Sequence, residues 1–262
     1  MKNKLIFLSV AALVISLSSC KKNSVEPEPV PVKTDTTAVT DTIWGKFQYP
    51  QTYFTNEDQQ GNGKYFTLYI SNPDSLEKVI CLRVCKLLYK TPGEVVKVNK
   101  LGWIIRDMSG VAFTTGLGAA NEKATVFSAQ YLKGLIDSRT RAAVIKEITG
   151  VFTHETAHVF QSDNNYGEKN GWSAIEGIAD CVRFLAGEDN ISRRHKGGSW
   201  LDGYTTTGFF IAWLQEKKDP DFLYKFNKYV GQHPSDYTWD AACYKLLNKS
   251  VSDLWNEYQA AI

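Results

Sequence analysis

Residues 143–158 read AVIKEITGVFTHETAH and predict a helix that carries two histidines one turn apart. Apolar residues at helical spacing give this helix a buried face; they are Ala143, Val144, Ile148, Val151 and Phe152. His154 and His158 are four positions apart, so both imidazoles lie on one helix face and can reach a single metal ion. Glu155 stands beside the first histidine, where it can take a proton from a metal-bound water. This pattern is typical of zinc hydrolases and predicts Glu155 as the general base.

A zinc ion that holds a reactive water needs a third protein ligand. The chain has only two further histidines, His195 and His233, and a pair of carboxylates offers better candidates. Glu176 and Asp180 are four residues apart on a predicted helix, so both carboxylates face the same way. One of them can bind the metal while the other accepts the N–H of a ligating histidine and fixes its tautomer.

A structural role for Glu176 competes with this interpretation. Ser173-Ala174-Ile175-Glu176 fits a capping box, in which Glu176 would only satisfy the start of its helix. The helix is otherwise apolar, however, and an unpaired Asp180 buried there would be costly. We therefore expect both carboxylates to serve the metal site, with Glu176 the better candidate for the ligand and Asp180 for the residue that orients a histidine.

The remaining pattern predicts an α+β fold, with a small N-terminal mixed sheet and a mostly helical C-terminal half. Strand patterns occur at Lys64–Ile70, Glu94–Arg106, Val111–Thr115 and Ala124–Ala129. A helix is expected from Asp74 to Lys90, with Asp74 and Glu77 as a capping pair. From Ser138 onward the chain is expected to be helical, and further helices are predicted at Ser173–Ala186, Gly203–Lys217, Asp219–Tyr229, Trp239–Leu247 and Ser252–Ala261.

The first 20 residues predict a bacterial export signal. Lys2 and Lys4 supply a positive start, and the apolar run that follows is too short to span a membrane comfortably. The run ends in Leu17-Ser18-Ser19-Cys20, which resembles a lipobox, the site at which a cysteine is lipidated. A lipid on Cys20 would anchor the protein to a membrane surface, on the periplasmic or the outer face. An ordinary cleavage site followed by a chance cysteine is the alternative.

The composition of the chain after the export signal predicts a tether and one catalytic domain. Residues 21–42 are rich in Pro, Val, Thr and acidic residues and contain no aromatic residue, which predicts a flexible tether. Residues 43–262 form the predicted catalytic domain, and 43% hydrophobic and 13% aromatic residues in the whole chain supply its core. The formal charge is +2, with Lys2 and Lys4 in the export signal, so nothing suggests nucleic acid as a partner.

Four cysteines follow Cys20, and we expect them to be buried free thiols; they are Cys81, Cys85, Cys181 and Cys243. The first two lie four residues apart on one predicted helix, a spacing that makes a mutual disulfide awkward.

Several segments, in the same order, resemble the basic secretory protein family, which is known from plants and also occurs in bacteria. The resemblance extends over residues 44–262, and the segments that carry it are 107–114, 154–161, 176–183, 203–207 and 249–255. The family is similar to thermolysin-like zincins in its pair of helices. The resemblance therefore implies a zincin-like peptidase fold, a Zn²⁺ ion and Glu176 as the third ligand. Thr205 departs from the family, which often has Asp there, so the resemblance gives Thr205 no role.

Two further expectations concern the substrate. Tyr204 is the candidate hydrogen-bond donor to the oxyanion of amide hydrolysis. It lies in a segment that resembles the family and follows the two helices that carry the candidate metal ligands. Tyr166 and His195 are rivals for that role. By analogy with zincins, the strand from Thr125 to Ala129 is expected to bind an extended peptide by edge pairing.

The sequence thus predicts a zinc metallopeptidase that acts on peptides or proteins. A zinc amidase or esterase acting on cell-wall or glycan-linked amides would use the same metal site. A non-catalytic binding protein on the same fold is a third hypothesis, against which the intact Glu155 argues. The sequence leaves the oligomeric state open.

Overall fold

The computed structural model describes residues 43–162 and 169–262. The predicted export signal and the whole predicted tether, together with Tyr166, lie outside the described residues. The described strands are β1 (Gln51–Asn56), β2 (Lys100–Arg106), β3 (Ala112–Gly116) and β4 (Glu122–Ser128). The described α-helices are α1 (Phe66–Tyr69), α2 (Pro73–Leu88), α3 (Ala129–Ser138), α4 (Arg141–Phe160), α5 (Lys169–Leu185), α6 (Tyr204–Lys217), α7 (Phe222–Gln232), α8 (Trp239–Leu247) and α9 (Val251–Ala261). The α+β prediction, with a small mixed sheet and a mostly helical remainder, is confirmed.

The four strands form one mixed sheet in the order β1-β2-β4-β3. β2 pairs in parallel with β1 and with β4, whereas β3 runs antiparallel to β4. The interior strands β2 and β4 are buried over most of their length, as expected for strands covered on both faces. Because β4 has a partner on each side, the prediction that Thr125–Ala129 binds a peptide by edge pairing is wrong. The edge on that side is β3, and Ala129 already belongs to α3.

An aromatic stack holds α4 against the sheet. The ring of Phe152, on α4, lies 3.7 Å from the ring of Trp103 on β2 and 5.3 Å from the ring of Phe127 on β4. All three side chains are buried. Such contacts add to the free energy of burial, and they place the following turns of α4, which carry the two histidines, beside the sheet.

The segment predicted as a strand at Lys64–Ile70 is helical, because local side chains bend the chain before it. Asn56 Nδ2 donates to the Gly63 carbonyl at 2.9 Å, and the Gly63 N–H donates to Asp58 Oδ2 at 2.9 Å. Side-chain bonds of this kind favour a turn over a strand, and a 3₁₀ turn at Asn62–Tyr65 leads into α1. The preceding strand, β1, was not predicted.

The capping pair predicted at Asp74 and Glu77 is also wrong. Asn72 caps α2, since its side chain accepts a hydrogen bond from the Ser75 N–H at 3.0 Å, and Pro73 occupies the first helical position. Glu77 therefore lies one turn inside the helix, where it is buried.

Other differences concern boundaries. The strand predicted from Glu94 begins only at Lys100, because Pro92–Glu94 forms a 3₁₀ turn in which Thr91 and Glu94 make a capping box. The helix α3 was not predicted.

The four cysteines after the export signal are buried and free, as expected. Among the described helices, none combines the length and the apolar character that a membrane span needs.

Candidate metal centre

Two buried imidazoles face each other on the last turns of α4. His154 and His158 point their Nε2 atoms toward the same point, and these two atoms are 3.0 Å apart. Both side chains are buried. The four-residue spacing seen in the sequence thus becomes one shared face in the structure.

Glu176, on α5, brings a carboxylate to the same point. Its Oε2 lies 3.3 Å from His154 Nε2 and 3.4 Å from His158 Nε2. This oxygen is buried, and both Nε2 atoms lie within hydrogen-bonding distance of it. The capping role that competed for Glu176 is excluded, because α5 begins at Lys169 and Ser173 lies inside the helix.

The donor set fits a zinc ion. In a tetrahedral site with ligand atoms about 2.0–2.1 Å from zinc, the ligand atoms are about 3.3 Å from each other. The three separations here are 3.0, 3.3 and 3.4 Å. Two imidazole nitrogens and one carboxylate oxygen are also ligands that zinc prefers. In the part of the chain that the structure describes, the group able to hold a metal ion comprises His154, His158 and Glu176.

Asp180, one turn after Glu176, contacts His154 at the ring nitrogen that does not face Glu176. Its Oδ1 lies 2.7 Å from His154 Nδ1, and the pair is buried. Because an ionised carboxylate only accepts hydrogen bonds, Nδ1 is the donor, which leaves Nε2 to face Glu176. The two carboxylates therefore occupy different positions: Glu176 faces both Nε2 atoms, and Asp180 lies behind one ring.

Without a metal ion, the cluster is strongly charged. Burial opposes a charged imidazole, but hydrogen bonds with Asp180 and Glu176 outweigh it and raise the pKa of His154 to about 10. Burial likewise opposes a charged carboxylate, yet hydrogen bonds with His154 and His158 lower the pKa of Glu176 to about 2. The pKa of Asp180 is also lowered, mainly through His154, against the effect of burial. Both carboxylates thus stay ionised at neutral pH and favour a positive charge between them, which the protonated His154 supplies and a bound cation would replace.

Glu155 contacts β3, the strand at the edge of the described sheet. Thr114 Oγ1 lies 2.8 Å from Glu155 Oε2 and 3.0 Å from the Glu155 carbonyl oxygen. The carboxylate is therefore held next to the histidines without joining the group of three ligand atoms. Sequence reasoning did not single out Thr114, because a threonine in a strand carries no signal of such a contact.

A cleft of about 610 Å³ opens in front of these groups. The cleft is lined by the three residues able to hold a metal ion and by Glu155 and Asp180. The other lining residues are Val111, Ala112, Phe113, Thr114, Val151, Arg183, Arg193, Tyr204 and Thr205. Val111 and Phe113 are exposed apolar side chains at β3, so one wall of the cleft is a strand edge with apolar residues and no second partner strand among the described residues. His195 is exposed and does not line the cleft, and its Nδ1 lies 3.1 Å from the Arg193 carbonyl oxygen.

Tyr204 lies at the mouth of the cleft, at the start of α6. Its ring is 6.2 Å from the His154 ring, and half of the side chain is exposed. Burial, followed by the nearby charges of Glu176, Asp180 and Glu155, raises the pKa of Tyr204, so its hydroxyl keeps a proton that it can donate. Its φ of 41° is a backbone conformation that costs free energy for a residue with a side chain.

Thr205, which the resemblance left without a role, contacts the carboxylate behind the histidine. Its Oγ1 donates to Asp180 Oδ2 at 3.0 Å, and Arg193 Nη2 donates to the same Oγ1 at 2.9 Å. Thr205 and Arg193 both follow α4 and α5 in the sequence, and sequence spacing gave no sign of either contact.

Small residues bring α6 close enough to α5 for these contacts. A Cβ on Gly208 would lie 2.8 Å from Asp180 Cβ, and a Cβ on Gly177 would lie 2.4 Å from Thr207 Cγ2. Neither distance is tolerated between carbon atoms. The two glycines therefore allow the backbone of α6 to pack directly beside Asp180.

Comparison with known proteins identifies the family. The chain belongs to the BSP family, the peptidases of plants and bacteria, whose family model matches residues 51–258. This match confirms the resemblance read from the sequence. No curated protein and no solved structure matches the chain.

Proposed function

We propose that this protein is a zinc-dependent metallopeptidase with a zincin-like arrangement of α4 and α5. The observation that carries the proposal is the convergence of His154 Nε2, His158 Nε2 and Glu176 Oε2 within 4.8 Å of one another, with Glu155 next to the first histidine. Membership in a family of peptidases supports peptides or proteins as the substrate class.

A zinc ion at this point would act as a Lewis acid and lower the pKa of a water molecule beside it. The protein's own residues would do the rest. Glu155 would accept the proton of the attacking water and pass it to the leaving amine, and Thr114 would hold its carboxylate in place. Asp180 would keep His154 in the tautomer that presents Nε2 to the site.

The substrate would lie along β3. Among the described residues this strand is the edge of the sheet on the side of the cleft, so an extended peptide could pair with its outer backbone groups. Tyr204, at the other side of the cleft, would donate its hydroxyl hydrogen to the oxyanion. Val111 and Phe113 offer apolar surface to the peptide side chains.

For the rest of the chain, we propose the organisation expected from its sequence. Residues 1–20 would direct export, a lipid on Cys20 would anchor the protein to a bacterial membrane, and residues 21–42 would connect the anchor to the catalytic domain. The enzyme would thus act outside the cytoplasm.

Metal analysis combined with a peptide-library digest tests the proposal. The purified protein should contain about one zinc ion per chain, and His154→Ala should lose most of it. Glu155→Gln should keep the zinc and lose turnover by about 10²–10⁴-fold, because the water loses its proton acceptor. Full zinc retention in His154→Ala would refute the metal site, and undiminished cleavage by Glu155→Gln would refute the mechanism.

A further inference from the structure

A chain of hydrogen bonds runs outward from the candidate metal centre to the protein surface. His154 Nδ1 lies 2.7 Å from Asp180 Oδ1, and Thr205 Oγ1 lies 3.0 Å from Asp180 Oδ2. Arg193 Nη2 lies 2.9 Å from Thr205 Oγ1, and Arg193 Nη1 lies 2.9 and 2.8 Å from the two carboxylate oxygens of Asp189. Each carboxylate oxygen of Asp180 thus has its own partner.

The chemistry of these groups sets the direction of every bond. A guanidinium only donates hydrogen bonds, and an ionised carboxylate only accepts them. Arg193 therefore donates to Thr205, and the single hydroxyl proton of Thr205 is left for Asp180. A hydroxyl is suited to this position, because it accepts from a cation and donates to an anion at the same time.

At the outer end of this chain of hydrogen bonds, Asp189 holds Arg193 in place. The Asp189 side chain is 4% exposed and also accepts a hydrogen bond from the Asn190 N–H at 2.7 Å. Arg193, although half of its side chain is exposed, is therefore held by a buried carboxylate. A guanidinium held in this way presents Nη2 to Thr205 with little freedom to leave.

The neighbouring threonines do not share this role. Thr207 Oγ1 donates to the Trp200 carbonyl at 2.9 Å, and within the described residues the Thr206 hydroxyl has no hydrogen-bond partner. Thr205 reaches Asp180 because it lies in the first turn of α6, one turn before Gly208, which packs against Asp180 Cβ. The three consecutive threonines are thus chemically alike but differ in what they contact.

We propose that Thr205 is a positioning residue of the metal site, which acts through Asp180 on His154. With Oδ2 bound to Thr205, the Asp180 carboxylate cannot rotate away, so Oδ1 stays on Nδ1 and the imidazole keeps Nε2 directed at the metal position. Arg193 orients the hydroxyl. The inference rests on the proposed zinc site and assigns the support of that site to two residues outside its ligand set.

Zinc affinity, measured by competition with a chelator of known affinity, tests this role without depending on turnover. Thr205→Val keeps the branched shape but removes the hydroxyl, and it should weaken zinc binding about tenfold, the lower end of the range for outer partners of metal ligands. Thr205→Ser keeps the hydroxyl and should restore affinity to within about twofold of the wild type. Thr206→Val makes the same substitution one residue further on and should leave affinity unchanged.

Two further measurements separate positioning from general stability and from the zinc proposal. The thermal unfolding midpoint of the metal-free protein reports stability; if Thr205→Val lowers it while zinc affinity stays at the wild-type value, the positioning role is overturned. Equal loss of affinity in Thr205→Ser and Thr205→Val would also overturn it.

Arg193→Gln changes the exposed end of the chain of hydrogen bonds and should weaken zinc binding less than Thr205→Val. It serves as the test if Thr205→Val does not fold. Wild-type zinc affinity in Arg193→Gln would then overturn the inference. His154→Ala is the reference: if it loses zinc and Thr205→Val does not, this inference alone fails, whereas zinc retention by His154→Ala refutes the metal site itself.

Discussion

The free energy of unfolding of the wild-type protein should fall as pH rises, and replacing Glu77 with Gln should reduce that fall. Glu77 lies in α2, and both of its carboxylate oxygens are buried without a hydrogen-bond partner among the described residues. Burial, with a smaller contribution from Asp74, raises the pKa of Glu77 to about 9. The folded protein therefore keeps this carboxyl protonated at neutral pH, whereas the unfolded chain ionises it.

The size of the effect follows from the two pKa values. In the unfolded chain the carboxyl has its usual pKa of 4.5, and in the folded protein the pKa is about 9. The folded state thus binds one more proton than the unfolded state between these values, so the stabilising effect is complete below pH 4.5 and is lost as pH rises toward 9. The loss is about 1.4 kcal/mol per pH unit, or about 4 kcal/mol between pH 5 and pH 8. Gln does not ionise, and the cost of burying its amide is the same at every pH.

Urea unfolding at several pH values between 5 and 8, with zinc removed from all samples, measures this difference. The free energy of unfolding of Glu77→Gln, minus that of the wild type, should increase by about 4 kcal/mol from pH 5 to pH 8. Glu216→Gln, an exposed position on α6, is the matched control and should follow the wild type. Parallel pH profiles for Glu77→Gln and the wild type would show that Glu77 is not a buried neutral acid.

Three further predictions concern the site and the anchor. Glu176→Gln should weaken zinc binding more than Asp180→Asn; the reverse order in a chelator competition would exchange the roles of the two carboxylates. Tyr204→Phe should keep its zinc and lose turnover by roughly a hundredfold, with little change in KM, and wild-type turnover on any cleaved peptide would exclude it as oxyanion donor. Cys20→Ser should release a soluble exported form, and mass spectrometry that finds an unmodified N-terminus on the native protein would refute lipidation.

The residues of the candidate metal site could be predicted because each pair is local in sequence. His154 and His158 lie one turn apart on α4, and Glu176 and Asp180 lie one turn apart on α5, so helical spacing alone puts each pair on one face. The spacing could not tell which carboxylate faces the two Nε2 atoms, because that depends on how α5 packs against α4. The resemblance to the family named Glu176, and the structure places its Oε2 at the shared point.

The groups that hold these residues could not be predicted. Thr114 contacts Glu155 from 41 positions earlier in the chain, and Thr205 contacts Asp180 from 25 positions later. A hydroxyl in a strand or in the first turn of a helix occurs in many places without function. Only the packing of separate elements brings these two hydroxyls to the site.

The same limit applies to the sheet. Alternating residues predicted strands near β3 and β4, but alternation does not give strand order, and β4 proved to be an interior strand with β3 at the edge. The error at Lys64–Ile70 has a different cause, because seven alternating residues also fit a short helical segment when the preceding loop imposes a turn. Asn56 and Asp58 impose that turn here.

The contact of α5 with α6 shows how packing and chemistry depend on each other in this protein. Gly208 lets α6 approach until its backbone meets Asp180, and Thr205, one turn earlier on the same helix, then lies 3.0 Å from the same carboxylate. A methyl group at Gly208 would push the helices apart by about 1 Å, since carbon atoms in contact are about 3.5–4.0 Å apart. A hydrogen bond stretched by that amount is lost. Gly208 would therefore support the proposed metal site although it bears no ligand atom, because it sets the distance between the Thr205 hydroxyl and Asp180.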